Sequence, residues 1–389
     1  MKQLAIFTTP DDADVELRHD AGPVFKGTPS TVQGRPAHLL TIDGVPDGWG
    51  ARLVVAKDGF VPVEQRGILW LSRPGPFAEF VVDDVQLRPF PVSALPRLVT
   101  RGHSFALENG ERFTAIECSD FNLLARYHAD RRSIEPILEQ RAALGFNLLR
   151  VWTLMHLSQF GIGDLDPCPY DKVPAFCERC ADHGLYVEFT AYTSTFDPNH
   201  WRRLGEAAAG ASNVILELVN ENDQPANTID TRAFAPIPGR LCAHGSNGSQ
   251  AAPVQPSWNY QTFHTNDAFE WQRKVGHNAM ELGGTVLSNE NTRFPDRDSS
   301  VIHAFDAAAG AALLCAGSCF HSVNGKRSAL FEGVELSAAK AWADGARSVP
   351  LEFQDGAYQH RADLERPDDL RAYERRLPDG RVHVVHIRR

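Results

Sequence analysis

Two patterns of apolar and polar residues divide the chain. In the N-terminal part, short apolar runs such as residues 37–42 and 51–56 are separated by Gly, Pro and Asp, which is typical of β-strands joined by turns. A Pro-rich segment at 88–96 follows, so we place a domain boundary near Val99. Residues 1–99 are therefore predicted to form a β-rich N-terminal domain.

From Phe113 onward, apolar strands alternate with amphipathic helices, which indicates βα units and a parallel sheet. A closed barrel covers both faces of every strand, so we predict an α/β fold with a (β/α)8 TIM barrel over residues 100–347. The predicted strands are 113–118, 146–152, 185–192, 213–220, 240–244, 259–264, 284–289 and 311–317, and the predicted helices are 133–144, 174–183, 200–209, 267–282 and 300–309.

Two segments depart from this alternation. Between Asn222 and Gly239 no helical periodicity is present, so we expect a short helix or none. In the C-terminal segment 348–389, two β-prone runs flank a Pro-Asp-Gly turn at 378–380. We predict a β-hairpin extension there, packed on the β-rich N-terminal domain.

Composition excludes several classes of partner. The 389 residues carry a formal net charge of -10 with both signs interspersed, so the chain offers no basic stripe for nucleic acid. No run approaches the roughly 20 apolar residues of a membrane span, and the N-terminus lacks a secretory signal. We expect a soluble protein without a membrane partner, cytoplasmic or phage-associated; its oligomeric state is left open.

The seven cysteines do not indicate a disulfide framework or a metal site. Without a secretory leader, reduced thiols are expected. Cys177 and Cys180 form a single CxxC with no second pair, and both fall on one helical face with Phe176, which favours core packing. We therefore expect neither a cofactor nor a metal.

Two predicted strands end in the same polar motif, Asn-Glu-Asn. The apolar run 214–219 ends in Asn220-Glu221-Asn222, and the β-prone run 284–288 ends in Asn-Glu290-Asn. Barrel enzymes place their chemistry at the carboxyl ends of the strands, and two carboxylates are the set that cleaves a glycosidic bond.

The alternation of side chains along a strand predicts which residues face the barrel interior. Glu221 shares the parity of Glu217 on the fourth strand, and Glu290 shares that of Val286 and Ser288 on the seventh. This register predicts that both glutamates lean into the same barrel mouth.

Several segments together carry a resemblance to a known family. Gly-Phe-Asn-Leu-Leu-Arg-Val-Trp at 145–152, Gly-Leu-Tyr-Val-Glu-Phe at 184–189, Asn220-Glu221 and Glu290 resemble the retaining glycoside hydrolases of clan A, the 4/7 superfamily, with a family 5-like TIM barrel. The resemblance covers about residues 100–345. By position it implies that Glu221 is the general acid/base and Glu290 the nucleophile.

These implied roles agree with the chemistry of neighbouring residues. An acid/base must hold its proton near neutral pH, whereas a nucleophile must be ionised. Asn220 is placed to hydrogen-bond the sugar 2-OH, and Arg150 could hold Glu290 ionised through a charge-assisted hydrogen bond.

The chain also departs from the family at two strand ends. The usual His-x-Tyr of the sixth strand is reduced to Phe263-His264-Thr265, so the Tyr that contacts the nucleophile is missing and Tyr192 or Tyr260 is a candidate to replace it. The eighth strand, where the family places a Trp, ends near His321.

Other candidates follow from position. We interpret Glu188 and Glu217 as structural partners of Arg150 or of buried hydroxyls, because carboxylates inside a barrel must be paired or protonated. Aromatic faces stack on sugar rings, and polar side chains at strand ends bind hydroxyls. The candidate substrate-binding residues are Asn220, Arg150, His264, Trp152, Tyr192, His156, Trp258 and His321.

The first functional hypothesis is a retaining glycoside hydrolase acting on a β-linked oligo- or polysaccharide. The alternative is a non-catalytic glycan-binding or structural protein, such as a phage or cell-surface component, on a glycosidase-like barrel. A metal-dependent hydrolase or an aldolase lacks support, because no strand-end His-x-His is present and Lys is almost absent from the predicted strand ends. In each favoured case the expected partner is a carbohydrate.

Overall fold

The structure is a computed structural model. It describes residues 2–9, 11–18, 24–32, 34–43, 49–56, 60–61, 63–69, 84–86, 88–89, 95–158, 161, 163–193, 195–222, 229–245, 258–264, 284–290, 299–365 and 370–388. The chain divides into two compact units, Met1–Ser93 and Ala94–Arg389, with the boundary slightly before Val99.

The first unit is built from short strands, as the sequence predicts. Alternation is clear in Asp14–Arg18, where Val15 and Leu17 are buried. Four strands pair in the order β4-β5-β1-β9 and four in the order β3-β2-β6-β8. The strands are β1 (Lys2–Thr9), β2 (Asp14–Arg18), β3 (Val24–Lys26), β4 (Thr28–Val32), β5 (Arg35–Ile42), β6 (Trp49–Ala56), β7 (Phe60–Val61), β8 (Val63–Leu69), β9 (Asp84–Gln86) and β10 (Arg88–Pro89).

The second unit contains the barrel. Its strands are β11 (Leu98–Arg101), β12 (Ser104–Leu107), β13 (Arg112–Phe113), β14 (Ala115–Ser119), β15 (Leu148–Trp152), β16 (Met155–His156), β17 (Asp164–Leu165), β18 (Tyr186–Tyr192), β19 (Val214–Val219), β20 (Cys242–Gly245), β21 (Tyr260–His264), β22 (Thr285–Glu290), β23 (Gly317–Phe320), β24 (Ala357–His360), β25 (Leu370–Arg376) and β26 (Val382–Arg388). The described helices are α1 (Leu123–Ala129), α2 (Glu135–Leu144), α3 (Val173–Asp182), α4 (His200–Ala207), α5 (Ser299–Leu314), α6 (Val323–Lys326) and α7 (Gly333–Arg347).

Eight parallel strands close in the order β14-β15-β18-β19-β20-β21-β22-β23, and β14 pairs with β23 to complete the ring. The predicted (β/α)8 barrel is thereby confirmed. The eighth strand was misplaced, however: the predicted strand 311–317 lies mostly in α5, and β23 follows it. The Ala-Ala-Leu-Leu run of α5 is apolar on every side, so its pattern does not separate a buried helix from a buried strand.

Helical segments agree in part with the pattern. The predicted helix 267–282 lies outside the described residues, and α1, α6 and α7 were not predicted. In the stretch without periodicity the structure describes one 3-10 turn, Thr231–Ala233, which fits the expected short helix. Across the described part of the chain, no helix combines the length and apolarity that crossing a membrane requires.

The C-terminal hairpin forms as predicted. β25 and β26 pair antiparallel around the 378–380 turn, and β24 joins them. Arg375 on β25 donates hydrogen bonds to the backbone oxygens of Leu313 and Leu314 at the end of α5. The hairpin is therefore part of the barrel's compact unit.

The barrel interior has an apolar lower layer and a polar upper one. The lower layer includes Leu148, Ile215 and Leu287, and Phe105 of β12 packs with them. On β22, Leu287 and Asn289 face inward, so the predicted inward parity of Val286 and Ser288 is wrong.

Candidate active site

Three groups meet at the carboxyl ends of the barrel strands. One oxygen each from Glu221 and Glu290 and one ring nitrogen of His264 lie within 4.8 Å of one another. Nδ1 of His264 is 3.1 Å from Oε1 of Glu221 and 3.9 Å from Oε2 of Glu290. These atoms could also ligate a metal ion.

Arg150 links the nucleophile candidate to the barrel interior. Its side chain is fully buried, and Nη1 donates to Oε2 of Glu290 over 2.9 Å. Nη2 donates to Oε2 of Glu217 at 2.7 Å and to Oδ1 of Asn220 at 2.8 Å, while Glu188 lies 3.7 Å from Nε. The predicted pairing of Glu188 and Glu217 with Arg150 is thus confirmed.

Below the mouth, buried hydroxyl and amide groups donate hydrogen bonds to the carboxylates of Glu188 and Glu217. Asn289 donates from Nδ2 to both Glu188 and Glu217, which ties the strand that carries Glu290 to the two strands opposite. Three hydroxyl groups complete the layer: Thr190 and Thr262 donate to Glu217, and Tyr260 donates to Glu188. The layer is a rigid base for the strand ends.

Charges at the site favour an ionised Glu290. Its burial opposes ionisation most strongly, but His321, His264 and Arg150 outweigh burial and lower the pKa of Glu290 to about 2. Burial likewise opposes the charge of Arg150, and the surrounding carboxylates raise its pKa above the ordinary range. Arg150 and Glu290 are therefore both charged at neutral pH.

Two deeper carboxyl groups behave in the opposite way. Burial, followed by the nearby Glu188, raises the pKa of Glu117 well above its usual range. Neither carboxyl oxygen of Glu117 has a neighbour among the described residues at the distance and angle of a hydrogen bond. Burial and the charge of Glu217 raise the pKa of Glu188 to about 7. The raised pKa values of Glu117 and Glu188 thus favour protonated carboxyl groups below the site at neutral pH.

Glu221 has an unusual backbone. Its φ is +46°, in the left-handed region that residues other than glycine rarely adopt. Such a conformation persists where surrounding contacts impose it, and it often occurs at functional sites. The side chains of Glu221 and Glu290 are 23% and 21% exposed, in contrast to the fully buried Arg150 and Glu217, so a ligand can reach both.

His321 reaches Glu290 from the eighth strand end. Its Nε2 lies 3.4 Å from Oε1 of Glu290, and its Nδ1 lies 2.8 Å from Oγ of Ser119. Sequence reasoning missed Ser119; its position at the end of the first barrel strand was the available signal.

Trp152 belongs to the wall beside these groups. Its ring stacks on Phe121 at a centroid distance of 3.8 Å. Phe121 in turn lies 5.4 Å from the His321 ring, and Cζ of Arg150 is 5.4 Å from the Phe121 ring. The buried Nε1 of Trp152 has no hydrogen-bond partner within the described ranges. Sequence reasoning also missed Phe121, which follows Ser119 and Asp120 at the same strand end.

The structure does not connect three other candidates to the carboxylate pair through any described contact. Tyr192 donates its hydroxyl to the backbone oxygen of Asp197. Trp258 packs in the core against Trp201 and His244, and His156 is exposed and bonds Asp166. These side chains therefore have local partners where the sequence suggested substrate contacts.

Neither candidate Tyr replaces the missing sixth-strand Tyr. The hydroxyl of Tyr260 lies lower in the barrel, where it donates to Glu188 and to the backbone oxygen of Leu216. Nitrogen atoms of Arg150, His264 and His321 lie within 4 Å of the Glu290 carboxylate.

Comparison with known proteins gives a fold without a family assignment. No protein-family model matches the chain, and no curated protein matches it. A crystal structure of a protein proposed to be a glycoside hydrolase, from Bacteroides vulgatus ATCC 8482, superposes with a TM-score of 0.53 at 12% identity, over 97% of this chain and 83% of that one.

Two further structures have lower TM-scores. A glycoside hydrolase gives a TM-score of 0.49 at 15% identity over 72% of this chain and 81% of that one. The β-mannanase of the blue mussel Mytilus edulis gives 0.43 at 14% identity over 64% and 97%. At such identities, the similarity to the Bacteroides vulgatus structure shows a shared fold only.

Proposed function

We propose that this protein is a retaining glycoside hydrolase that cleaves a β-linked oligo- or polysaccharide by double displacement. One observation carries the proposal: oxygens of Glu221 and Glu290 lie within 4.8 Å of each other at the barrel mouth. Retaining enzymes hold their two carboxyl groups about 5–5.5 Å apart, whereas inverting enzymes leave about 6.5–9.5 Å for a water molecule.

In the first step, the ionised carboxylate of Glu290 attacks the anomeric carbon. A bond forms between Glu290 and that carbon, and the bond to the glycosidic oxygen breaks. Glu221 gives its proton to the departing oxygen, which leaves as an alcohol. The low pKa of Glu290 supports this role, because the nucleophile must be unprotonated.

In the second step, Glu221 takes a proton from water, and the water oxygen attacks the anomeric carbon. The ester bond to Glu290 breaks, which restores both carboxyl groups and gives a product with retained configuration. Asn220 accepts a hydrogen bond from Arg150 at 2.8 Å, and in this proposal it bonds the sugar 2-OH. His264 lies between the two carboxyl groups and keeps them oriented.

A panel of activated aryl β-glycosides tests the proposal. We expect hydrolysis of at least one, with loss of activity in Glu290→Gln and Glu221→Gln and no loss of fold. Glu206→Gln, an exposed residue paired with Arg202, is a matched control that should retain full activity.

Azide gives a stereochemical test of the two roles. In Glu221→Ala, azide needs no general base and should restore turnover with a β-glycosyl azide product. In Glu290→Ala, azide should instead occupy the nucleophile's place and yield the α-azide. Full activity of either Gln variant would refute the assignment, and glycan binding without turnover by the wild type would favour the non-catalytic alternative.

A further inference from the structure

Glu290 has a second set of neighbours besides Arg150. Arg150 bonds Oε2 of Glu290, whereas Oε1 lies 3.4 Å from Nε2 of His321. The other ring nitrogen of His321 is 2.8 Å from Oγ of Ser119. Ser119 and His321 are 0% and 2% exposed, so water does not compete for these contacts.

We propose that Ser119 and His321 are positioning residues for the nucleophile: the hydroxyl of Ser119 donates to Nδ1 of His321, and Nε2–H of His321 donates to Oε1 of Glu290. This inference rests on the proposed function in that it takes Glu290 as the attacking group. At 3.4 Å, the contact between Nε2 of His321 and Oε1 of Glu290 is longer than an ordinary hydrogen bond in the free protein, and such contacts commonly tighten when substrate binds.

The chemistry of the neighbours fixes the tautomer of His321. A neutral imidazole has one N–H and one acceptor nitrogen. Nε2 faces an ionised carboxylate, which only accepts hydrogen bonds, so the proton belongs on Nε2. Nδ1 is then the acceptor, and the Ser119 hydroxyl must be its donor. Burial supports the neutral form at neutral pH, because it lowers the pKa of His321 to about 4. Below that pH His321 carries the charge that contributes to the low pKa of Glu290.

Ser119 is itself held in place. Its Oγ lies 3.2 Å from Sγ of Cys319, on the neighbouring strand β23. The contact with Cys319 and the contact with His321 limit the rotation of the hydroxyl. A thiol, a hydroxyl, an imidazole and a carboxylate thus follow one another from the barrel wall to the mouth.

Two donors from different elements restrict how the Glu290 carboxylate can rotate. Arg150 comes from the second barrel strand and holds Oε2, and His321 follows the eighth strand and holds Oε1. The lone pairs that remain then face the exposed mouth. Loss of the second donor should misalign attack, which lowers kcat more than it changes KM.

Two substitutions of His321 separate the donor role from a packing role. In His321→Gln, the amide nitrogen can take the place of Nε2 and still donate to Glu290. In His321→Asn, the shorter amide reaches only the place of Nδ1 and keeps the Ser119 contact. We expect the Gln variant to lose about 10-fold or less in kcat and the Asn variant about 100-fold, with little change in KM.

Ser119→Ala and a matched control complete the kinetic experiment. Ser119→Ala should lower kcat by about 10-fold, because His321 loses the bond that orients it. The control is Thr153→Val, which removes another buried hydroxyl that contacts an imidazole, that of His200, at 2.9 Å. Thr153→Val should leave kcat unchanged. Equal losses in the Gln and Asn variants, or wild-type kcat in both, would overturn the inference.

A spectroscopic measurement tests the inference independently of activity. The ¹⁵N NMR signals of His321, assigned by their absence in His321→Gln, report which ring nitrogen carries the proton. We expect a protonated Nε2 and an unprotonated Nδ1 in the wild type, and a shifted Nδ1 signal in Ser119→Ala. The opposite tautomer would refute the inference even if the protein cleaves glycosides, and the expected tautomer would support it even if no substrate is found.

Discussion

Arg150 and Glu290 lie 140 residues apart in the chain, and Nη1 of Arg150 donates to Oε2 of Glu290 over 2.9 Å. The same guanidinium holds Glu217 and Asn220. The planar fork of an arginine can bond several acceptors at once, which a lysine ammonium cannot do in the same geometry. Arg150 therefore connects the nucleophile candidate, the proposed 2-OH ligand and the buried base of the site.

Replacing Arg150 should damage both activity and stability. In Arg150→Lys we expect a loss of about 100-fold or more in kcat/KM, because one ammonium cannot reproduce the bonds to Glu217, Asn220 and Glu290. Arg150→Met leaves buried carboxylates without a cation and should cost about 3–5 kcal/mol of unfolding free energy. Denaturant titration and steady-state kinetics measure these effects; Arg202→Met, on the exposed face of α4, is the control.

The pH profile of Arg150→Lys gives a further check. Arg150 is one of the groups that lower the pKa of Glu290, so the poorer contact of a lysine should raise that pKa. Attack requires an ionised Glu290, and the acid limb of kcat/KM should therefore move to higher pH than in the wild type. An unmoved limb would contradict the role of Arg150.

Glu117 should control how stability varies with pH. Because its folded pKa lies well above the ordinary 4.5, Glu117 keeps its proton in the folded state while the unfolded chain releases it. Stability must then fall as pH rises above 4.5, by about 1.4 kcal/mol per unit, until the folded group also ionises. Glu117→Gln removes the group that titrates and should therefore remove this pH dependence of the unfolding free energy.

Thermal unfolding from pH 4 to pH 9 measures the difference between Glu117→Gln and the wild type. We expect the variant to gain relative stability as pH rises, since glutamine resembles the protonated acid in size and charge. A difference that does not change with pH would show that Glu117 is ionised in the folded protein.

The backbone of Glu221 should be a source of strain. At a φ of +46°, a residue with a Cβ costs about 1–2 kcal/mol relative to its preferred conformation. Glu221→Gly should therefore be more stable than Glu221→Ala by about 1 kcal/mol, and we expect both variants to lack activity. Ser328, with a φ of +49°, gives a matched pair of Gly and Ala variants for the same comparison. Greater stability of Glu221→Ala would exclude the strain.

The C-terminal hairpin should be needed for barrel stability. Arg375 is buried, and it donates to the last carbonyls of α5 and to the backbone oxygen of Gly356. Arg375→Met leaves those carbonyls without donors, and we expect a loss of about 2–3 kcal/mol in unfolding free energy. Arg371→Met, at a half-buried position on the same strand, should change stability little. Equal stability of the two variants would mean that the hairpin is dispensable.

The sequence by itself determined the elements and the order of the barrel. Strands with buried apolar residues, such as β15 and β19, alternate with helices, and this local pattern depends only on side chains close in sequence. It also marked Glu221 and Glu290, because a carboxylate that ends an apolar strand stands out locally. The eighth strand was misplaced where an Ala-rich segment offered no periodicity to read.

Only the tertiary structure decided which distant groups meet. His321 contacts Glu290 and Ser119 contacts His321, whereas no described contact joins Tyr192 or Trp258 to Glu290. These relationships depend on the register and closure of eight strands. The side to which Asn289 points, and the place of the hairpin on α5, follow from packing between segments far apart in the chain. Contacts of this kind are set by three-dimensional fit and by the pairing of buried charges, and no short window of sequence contains them.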